Sequence, residues 1–208
     1  MTEEKKMKCL IYVTKSKPWL FFDKSINYYS LSNKKVDNDL NGKIVAEFDG
    51  EVEEITHGYG EYGEYYQTKT LGLMGLREHS CISSDELSEY LKRGDVVSKV
   101  GYAIHIKNLN VFDKPKKISD FYKRTEKVNP DIICAFCTNY PFDKCKECRD
   151  NYDYFNLKKA PQNMMYVYDY LGNKYVLISI RPYWACKILN GEKTIEVRKQ
   201  VLNCMKGN

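Results

Sequence analysis

The chain has 208 residues, 43% of them hydrophobic, with a formal net charge of +5 and a pI near 8.6. That length suits one domain of ordinary size plus an accessory element. No apolar run approaches the ~20 residues of a membrane span. The leader MTEEKKMKCLIYV lacks the apolar stretch and small-residue cleavage site of a secretory signal. A cytoplasmic protein with no membrane partner is therefore expected, its eight Cys held in a reducing compartment where clustered thiols bind metal rather than pair. The mild basicity fits an anionic partner without requiring one. Eighteen Tyr suit strands, interfaces and stacking on bases.

Residues 1–7 are a polar leader. Cys9 to Lys15 (CLIYVTK) is a β-prone strand. Residues 16–42, rich in Asn, Lys and Ser, form a long loop. Gly42 to Ile55 carries Ile44, Val45, Ala46 and Phe48 and predicts a strand with a bulge or bend at Gly50. His57 to Tyr66 (HGYGEYGEYY) is Gly/Tyr-rich but has no Lys-Ser/Thr after it. It is expected to be a lid or loop rim rather than a phosphate loop, and a hairpin face is the other reading of its tyrosines.

Ser83 followed by Glu86 is a capping-box pattern. It opens a helix through Arg93, with Leu87, Tyr90 and Leu91 on one packed face and Gly94 as its stop. Gly101 to Leu109 alternates as a strand, and His105 in it is expected to be a hydrogen-bonded sheet histidine. Residues 112–127 hold six Lys or Arg, either a solvated face or a polyanion contact.

Cys134-x2-Cys137 and Cys145-x2-Cys148 are two knuckles seven residues apart. Four thiolates in this spacing suit a closed tetrahedral zinc site. A segment so short and polar needs the metal to order it. A redox pair would not need the second knuckle.

Tyr175 to Ile180 predicts a strand, stopped by Arg181-Pro182, with Pro182 in the first turn of a helix. Trp184, Ile188 and Leu189 form that helix's apolar face, and Asn190-Gly191 ends it. In the following strand Lys193, Ile195 and Val197 alternate with Thr194, Glu196 and Arg198. A bulge near the turn would bring Lys193 to the side of Glu196. From Arg181 to Lys206 six basic residues face two acidic ones, a balance of +4.

The run SIRPYWACKILNGEKTIEVRK resembles the opening signature of ASCH domains, roughly S-I-x-P-x-W-A-x-x-I-x-x-G-x-K-T-x-E-x-R. CLIYVTK, GKIVAEF, GYAIHIKNL and the Cys-rich tail are similar to segments that follow the signature in bacterial and phage members. Here the signature comes last, which implies a circular permutation. Residues 8–125 plus 177–200 would form the barrel, 126–170 the zinc-binding appendage and 171–176 the join. The chain would be a monomer if permuted, or a segment-swapped dimer if the C-terminal piece is donated.

The resemblance implies an α+β, PUA-like fold: a small, mostly antiparallel β-barrel with flanking helices, plus the zinc knuckle. It also implies a basic cleft that binds RNA or a modified nucleoside. Arg181, Trp184, Lys193, Thr194, Glu196, Arg198 and Tyr12 are the expected ligand-binding residues, and the zinc is structural. Lys and Arg supply donors, Glu196 accepts from an exocyclic amine, and the aromatics stack on a base. Some family members are N4-acetylcytidine amidohydrolases with a Thr nucleophile, a Lys base and an acid, and others are credited with RNA cleavage. Lys193 matches the Lys, but Glu196 stands where the Thr is expected, so Lys193 and Glu196 would be the catalytic pair, with Glu196 acting on water. Glu78 lies near the expected acid. Changing Lys193 or Glu196 is expected to spare the fold.

Overall fold

The computed structural model describes residues 7–15, 40–61, 63–91, 101–124 and 154–205. Among the described residues it is an α+β arrangement of nine strands and three α-helices. The chain divides into two compact units. One comprises 1–7, 48–110 and 183–208 (unit 1), the other 8–47 and 111–182 (unit 2). Two long strands, β2 (Lys43–Gly60) and β4 (Gly101–Lys117), each run from one unit into the other. The sheet is mixed and mostly antiparallel, and among the described residues hydrogen bonds do not close it into a barrel. The barrel expected from the sequence is corrected to an open sheet. Alternation shows which side of a strand is buried, but closure depends on how the end strands meet.

In unit 1, β2 continues as one strand through Gly50 to Gly60 and turns back into β3 (Gly63–Gln67). Thr56 stands opposite Gln67 and Gly60 opposite Gly63. The Gly/Tyr-rich stretch is thus a hairpin and not a lid. Its tyrosines alternate across two faces: Tyr66 is buried, while Tyr65 lies across Gly58, where a Cβ would come within 2.5 Å of its ring.

Helix α1 (Leu73–Ser80) starts at Gly72 and ends at Cys81, which takes a left-handed φ of 54°. Gly72 and Gly75 hide it from sequence patterning, because glycine is a poor helix former. Helix α2 (Ser84–Leu91) has the expected capping box. The Ser83 N–H donates to Glu86 at 3.0 Å, and the Glu86 N–H donates to Ser83 Oγ at 3.3 Å. Those bonds hold the Glu86 carboxyl below its usual range. Leu87 and Leu91 are buried, but Tyr90 is exposed, with the Lys199 ammonium 5.3 Å from its ring. Leu76, Leu87 and Leu91 pack with Ile55, Tyr66, Ala103, Ile195 and Val197, so both helices cover one face of this part of the sheet.

Helix α3 (Pro182–Leu189) and β9 (Ile195–Arg198) complete unit 1. Strand β9 pairs antiparallel with β4, Glu196 opposite Ile104 and Arg198 opposite Tyr102.

In unit 2 the strand order is β6 (Tyr154–Asn156), β5 (Tyr122–Arg124), β7 (Met164–Tyr168), β8 (Lys174–Ile180), β1 (Met7–Val13), then β2. The β1–β8 pair is parallel, Leu10 opposite Leu177, while β5–β6, β5–β7 and β7–β8 are antiparallel. Leu10, Tyr12, Ile44, Phe121, Leu157, Val167 and Leu177 form its core. Asp169 organises the β7–β8 turn. Its carboxylate accepts the N–H groups of Leu171 and Asn173 at 2.9 Å each and the Tyr175 hydroxyl at 3.3 Å. Burial, with Asp169 and Glu47 nearby, pushes the Tyr175 phenol up to about 12.

Gly101 opens β4 because a side chain does not fit there. A Cβ would lie 2.7 Å from Leu91 and 2.9 Å from the Arg198 carbonyl oxygen. The expected cost of Gly101→Ala is therefore ~1–3 kcal/mol, seen as a lower urea midpoint. An unchanged midpoint would mean that β4 and β9 are not packed this closely.

Candidate functional site

The site lies in unit 1, where the end of α1 meets the turn from α3 into β9. That turn is fixed locally. Gly191 takes φ +75°, a conformation glycine adopts without the Cβ penalty. The Lys187 ammonium donates to Glu192 at 2.9 Å, and the Asn190 amide donates to the same carboxylate at 3.1 Å. These bonds hold Glu192 below the usual carboxylate range, and the bond to Glu192 raises Lys187. The Lys193 N–H donates to the Lys187 carbonyl at 3.0 Å.

Strand β9 begins only at Ile195, so strict alternation does not govern Lys193. Its side chain reaches Glu196, with Nζ 3.5 Å from Oε2. The same ammonium donates to the Ser80 carbonyl, at the end of α1, at 2.7 Å. It lies 5.0 Å from the Trp184 ring. Arg198 donates to the other oxygen of Glu196 at 2.8 Å. One carboxylate therefore serves two cations.

Burial ranks the three. The Lys193 side chain keeps 1% of its surface open, Glu196 10% and Arg198 12%. Burial drives Lys193 below its ordinary range, opposed by the charge of Glu196. Desolvation wins because a single carboxylate, shared with Arg198, does not replace the water an ammonium loses. A ligand would meet Glu196 and Arg198 first, with Lys193 acting through Glu196.

Of the sequence-predicted residues, the structure brings Trp184, Lys193, Glu196 and Arg198 together. Thr194 turns elsewhere. Its hydroxyl lies 3.0 Å from His79 Nδ1, and its N–H donates to the His79 carbonyl at 2.9 Å. Arg181, which is exposed, and Tyr12, which packs in the core, belong to unit 2. Burial pushes the Tyr12 phenol up. Cys134, Cys137, Cys145 and Cys148 lie outside the described residues. Among the described residues, no group of three or more His, Cys, Asp or Glu is placed to hold a metal, and no helix is long and apolar enough to cross a membrane.

Sequence reading missed the other wall of the site: His79, Ser80 and Cys81. Cys81 Sγ lies 3.2 Å from the Glu192 carbonyl oxygen. An open groove of about 430 Å3 adjoins it, lined by Met74, Arg77, Glu78, Cys81, Ile82 and Ser83. Ser80 acts through its backbone carbonyl, which no side-chain motif encodes. His105 Nε2 lies 3.3 Å from Glu53. Burial pushes the Glu53 carboxyl up, but hydrogen bonds from Thr68, Thr70 and His105 outweigh it and hold Glu53 below its usual range.

No family model, curated protein or solved structure matches the chain.

The burial of Lys193 argues against the expectation that changing it spares the fold. Removing it leaves the Ser80 carbonyl without its donor and opens a void, an expected cost of about 2 kcal/mol for Lys193→Ala. Its lowered native pKa also sets a sign. As pH rises, the native state sheds this proton before the unfolded chain does. In that window the unfolded state binds more protons, so stability rises with pH until the ordinary lysine range near 10.5 is passed. Urea midpoints measured from neutral to alkaline pH should show this rise in the native chain and its loss in Lys193→Ala. Parallel profiles would show that Lys193 is not desolvated.

Proposed function

We propose that unit 1 is a binding module for a modified nucleoside, free or carried in RNA, as the ASCH-like signature implies. The observation that carries this reading is the Glu196 carboxylate gripped by Arg198 at 2.8 Å beside the buried Lys193. A carboxylate next to a guanidinium is a donor–acceptor pair. Its counterpart is a base edge that offers an N–H beside a carbonyl oxygen, as a cytosine with a substituted N4 does. Trp184, already near the Lys193 ammonium, offers an aromatic face for stacking. The nearly closed setting favours one planar base over a charged polymer, because hydrogen bonds count for more where water is excluded.

Calorimetric titration of the full chain with N4-acetylcytidine and with cytidine tests this. Saturable binding is expected for the acetylated nucleoside, weakened at least ~10-fold by Glu196→Gln, the loss of a hydrogen bond to a charged group. Circular dichroism checks that the variant is folded. An absence of heat with every nucleoside, or an unchanged affinity in folded Glu196→Gln, would sink the reading.

One observation favours a second reading, amide hydrolysis. A lysine held below its ordinary range by burial is a better proton acceptor than a solvated one. In that reaction Glu196 would take a proton from water and share it with Lys193, 3.5 Å away, while the water oxygen adds to the acetyl carbon. The bond from that carbon to N4 then breaks, the proton passes to N4, and acetate and cytidine leave. Mass spectrometry of the incubated nucleoside separates the readings. Conversion to cytidine by the native chain but not by Lys193→Ala would establish hydrolysis, and unchanged nucleoside would leave binding alone.

We further propose a structural zinc on Cys134, Cys137, Cys145 and Cys148, from their spacing. Metal analysis of the purified chain should give one equivalent, lost in Cys134→Ser. A full equivalent in that variant would rule out the four-thiolate site.

A further inference from the structure

Two Asn-Gly pairs occur in the chain, Asn41-Gly42 and Asn190-Gly191. In such a pair the backbone can attack the side chain before it, because glycine has no Cβ to hinder the approach of its nitrogen to the asparagine Cγ. The second pair occupies the turn that sets Lys193, and the nucleoside reading makes no use of it.

The turn is open to water but held by hydrogen bonds. Gly191 is exposed, and a Cβ placed on it would meet nothing within 4 Å. Its N–H donates to the Ile188 carbonyl at 2.9 Å, and the Asn190 N–H donates to the Cys186 carbonyl at 3.0 Å. The Asn190 side chain is held from one end. Its Nδ2 donates to Glu192 at 3.1 Å, while its Oδ1 is buried and meets no donor among the described residues. A buried carbonyl oxygen without a donor is a cost, and it leaves Glu192 as the anchor of this amide. Glu192 is fixed in turn by Lys187 at 2.9 Å, and its own carbonyl by the Cys81 thiol at 3.2 Å. In the closed turn both reacting groups are therefore engaged elsewhere, the Gly191 N–H with Ile188 and the Asn190 amide with Glu192.

We propose that Asn190 is a site of spontaneous deamidation, gated by the contacts that bury Lys193. When the turn opens, the Gly191 nitrogen loses its proton to hydroxide and bonds to the Asn190 Cγ. The bond from Cγ to Nδ2 breaks, and ammonia leaves with a proton taken from water. Water then opens the cyclic imide at either carbonyl, giving aspartate or isoaspartate. The net change is water gained and ammonia lost, with no oxidant or reductant. Either product sets a carboxylate beside Glu192 at the C-terminal end of α3, where negative charge is disfavoured, and both carboxylates compete for Lys187. Isoaspartate also adds a main-chain carbon between Lys187 and Lys193, which shifts the ammonium from the Ser80 carbonyl. Deamidation would thus undo the turn that protects against it. The inference rests on the turn alone and holds whether or not unit 1 takes a nucleoside.

The test is peptide mapping by mass spectrometry of the full chain aged in mildly alkaline buffer. Asn41 is the internal reference. It lies in unit 2, and its Gly42 N–H donates to the Val13 carbonyl at 2.8 Å. Conversion at Asn190 is expected to be slow in the native chain and at least ~10-fold faster in Lys193→Ala, following the larger open population, with Asn41 unchanged. Circular dichroism checks folding. If Lys193→Ala does not fold, Glu192→Ala, at an exposed position, frees the Asn190 amide and should accelerate the same site. Asn190→Asp should lower the urea midpoint. Native Asn190 converting as fast as in the urea-unfolded chain would overturn the gating. No conversion at Asn190 in either folded variant would overturn the site itself.

Discussion

A lysine ammonium with 1% of its side chain open to water is the most deeply buried charge among the described residues, and the arrangement around it follows from meeting the cost of that burial. Its carbonyl partner at Ser80 lies where α1 ends, and the negative end of a helix dipole favours a cation there. Its carboxylate partner at Glu196 comes from β9. Holding both partners on one ammonium fixes helix end, turn and strand to each other. Three further bonds repeat that fastening: the two between Thr194 and His79, and that from Cys81 to the Glu192 carbonyl. The lysine is thus a structural clasp and, through Glu196, the electrostatic setting of the candidate site.

The two roles are compatible because Glu196 is shared. Arg198 is the nearer partner, at 2.8 Å against 3.5 Å for Lys193. Lys193 adds positive charge without offering a donor to solvent. A base edge approaching Glu196 and Arg198 would meet a pair whose geometry is already set, so little ordering entropy is lost on binding. The same enclosure argues against a polymer threading through this point, since a phosphate would need solvent-facing donors in number.

Much of this was legible in the sequence, but unevenly. The apolar runs at Cys9, Ile44 and Tyr175 and the pattern at Gly101 marked strands correctly, because strands buried on both faces read as continuous β-prone apolar runs. The capping box at Ser83 gave the start of α2. The proximity of Lys193 to Glu196 required the strand to begin after Thr194, which alternation alone did not settle. Helix α1 was invisible, since two glycines and a weak apolar stripe carry no helical signal, and with it went His79, Ser80 and Cys81. The hairpin at His57 looked like a loop because its glycines suggest a flexible segment. In the structure they make room for Tyr65 to lie on the strand. Barrel closure was beyond reach, since it depends on strands far apart in the chain.

Net charge misleads most where it averages opposites. At +5 for the whole chain, neither unit looks like a partner for nucleic acid. Divided along the two units, the full sequence gives −2 and +7. If unit 1 takes a nucleoside as proposed, its balance of −2 offers a phosphate backbone no attraction, and selectivity would rest on hydrogen bonds to the base.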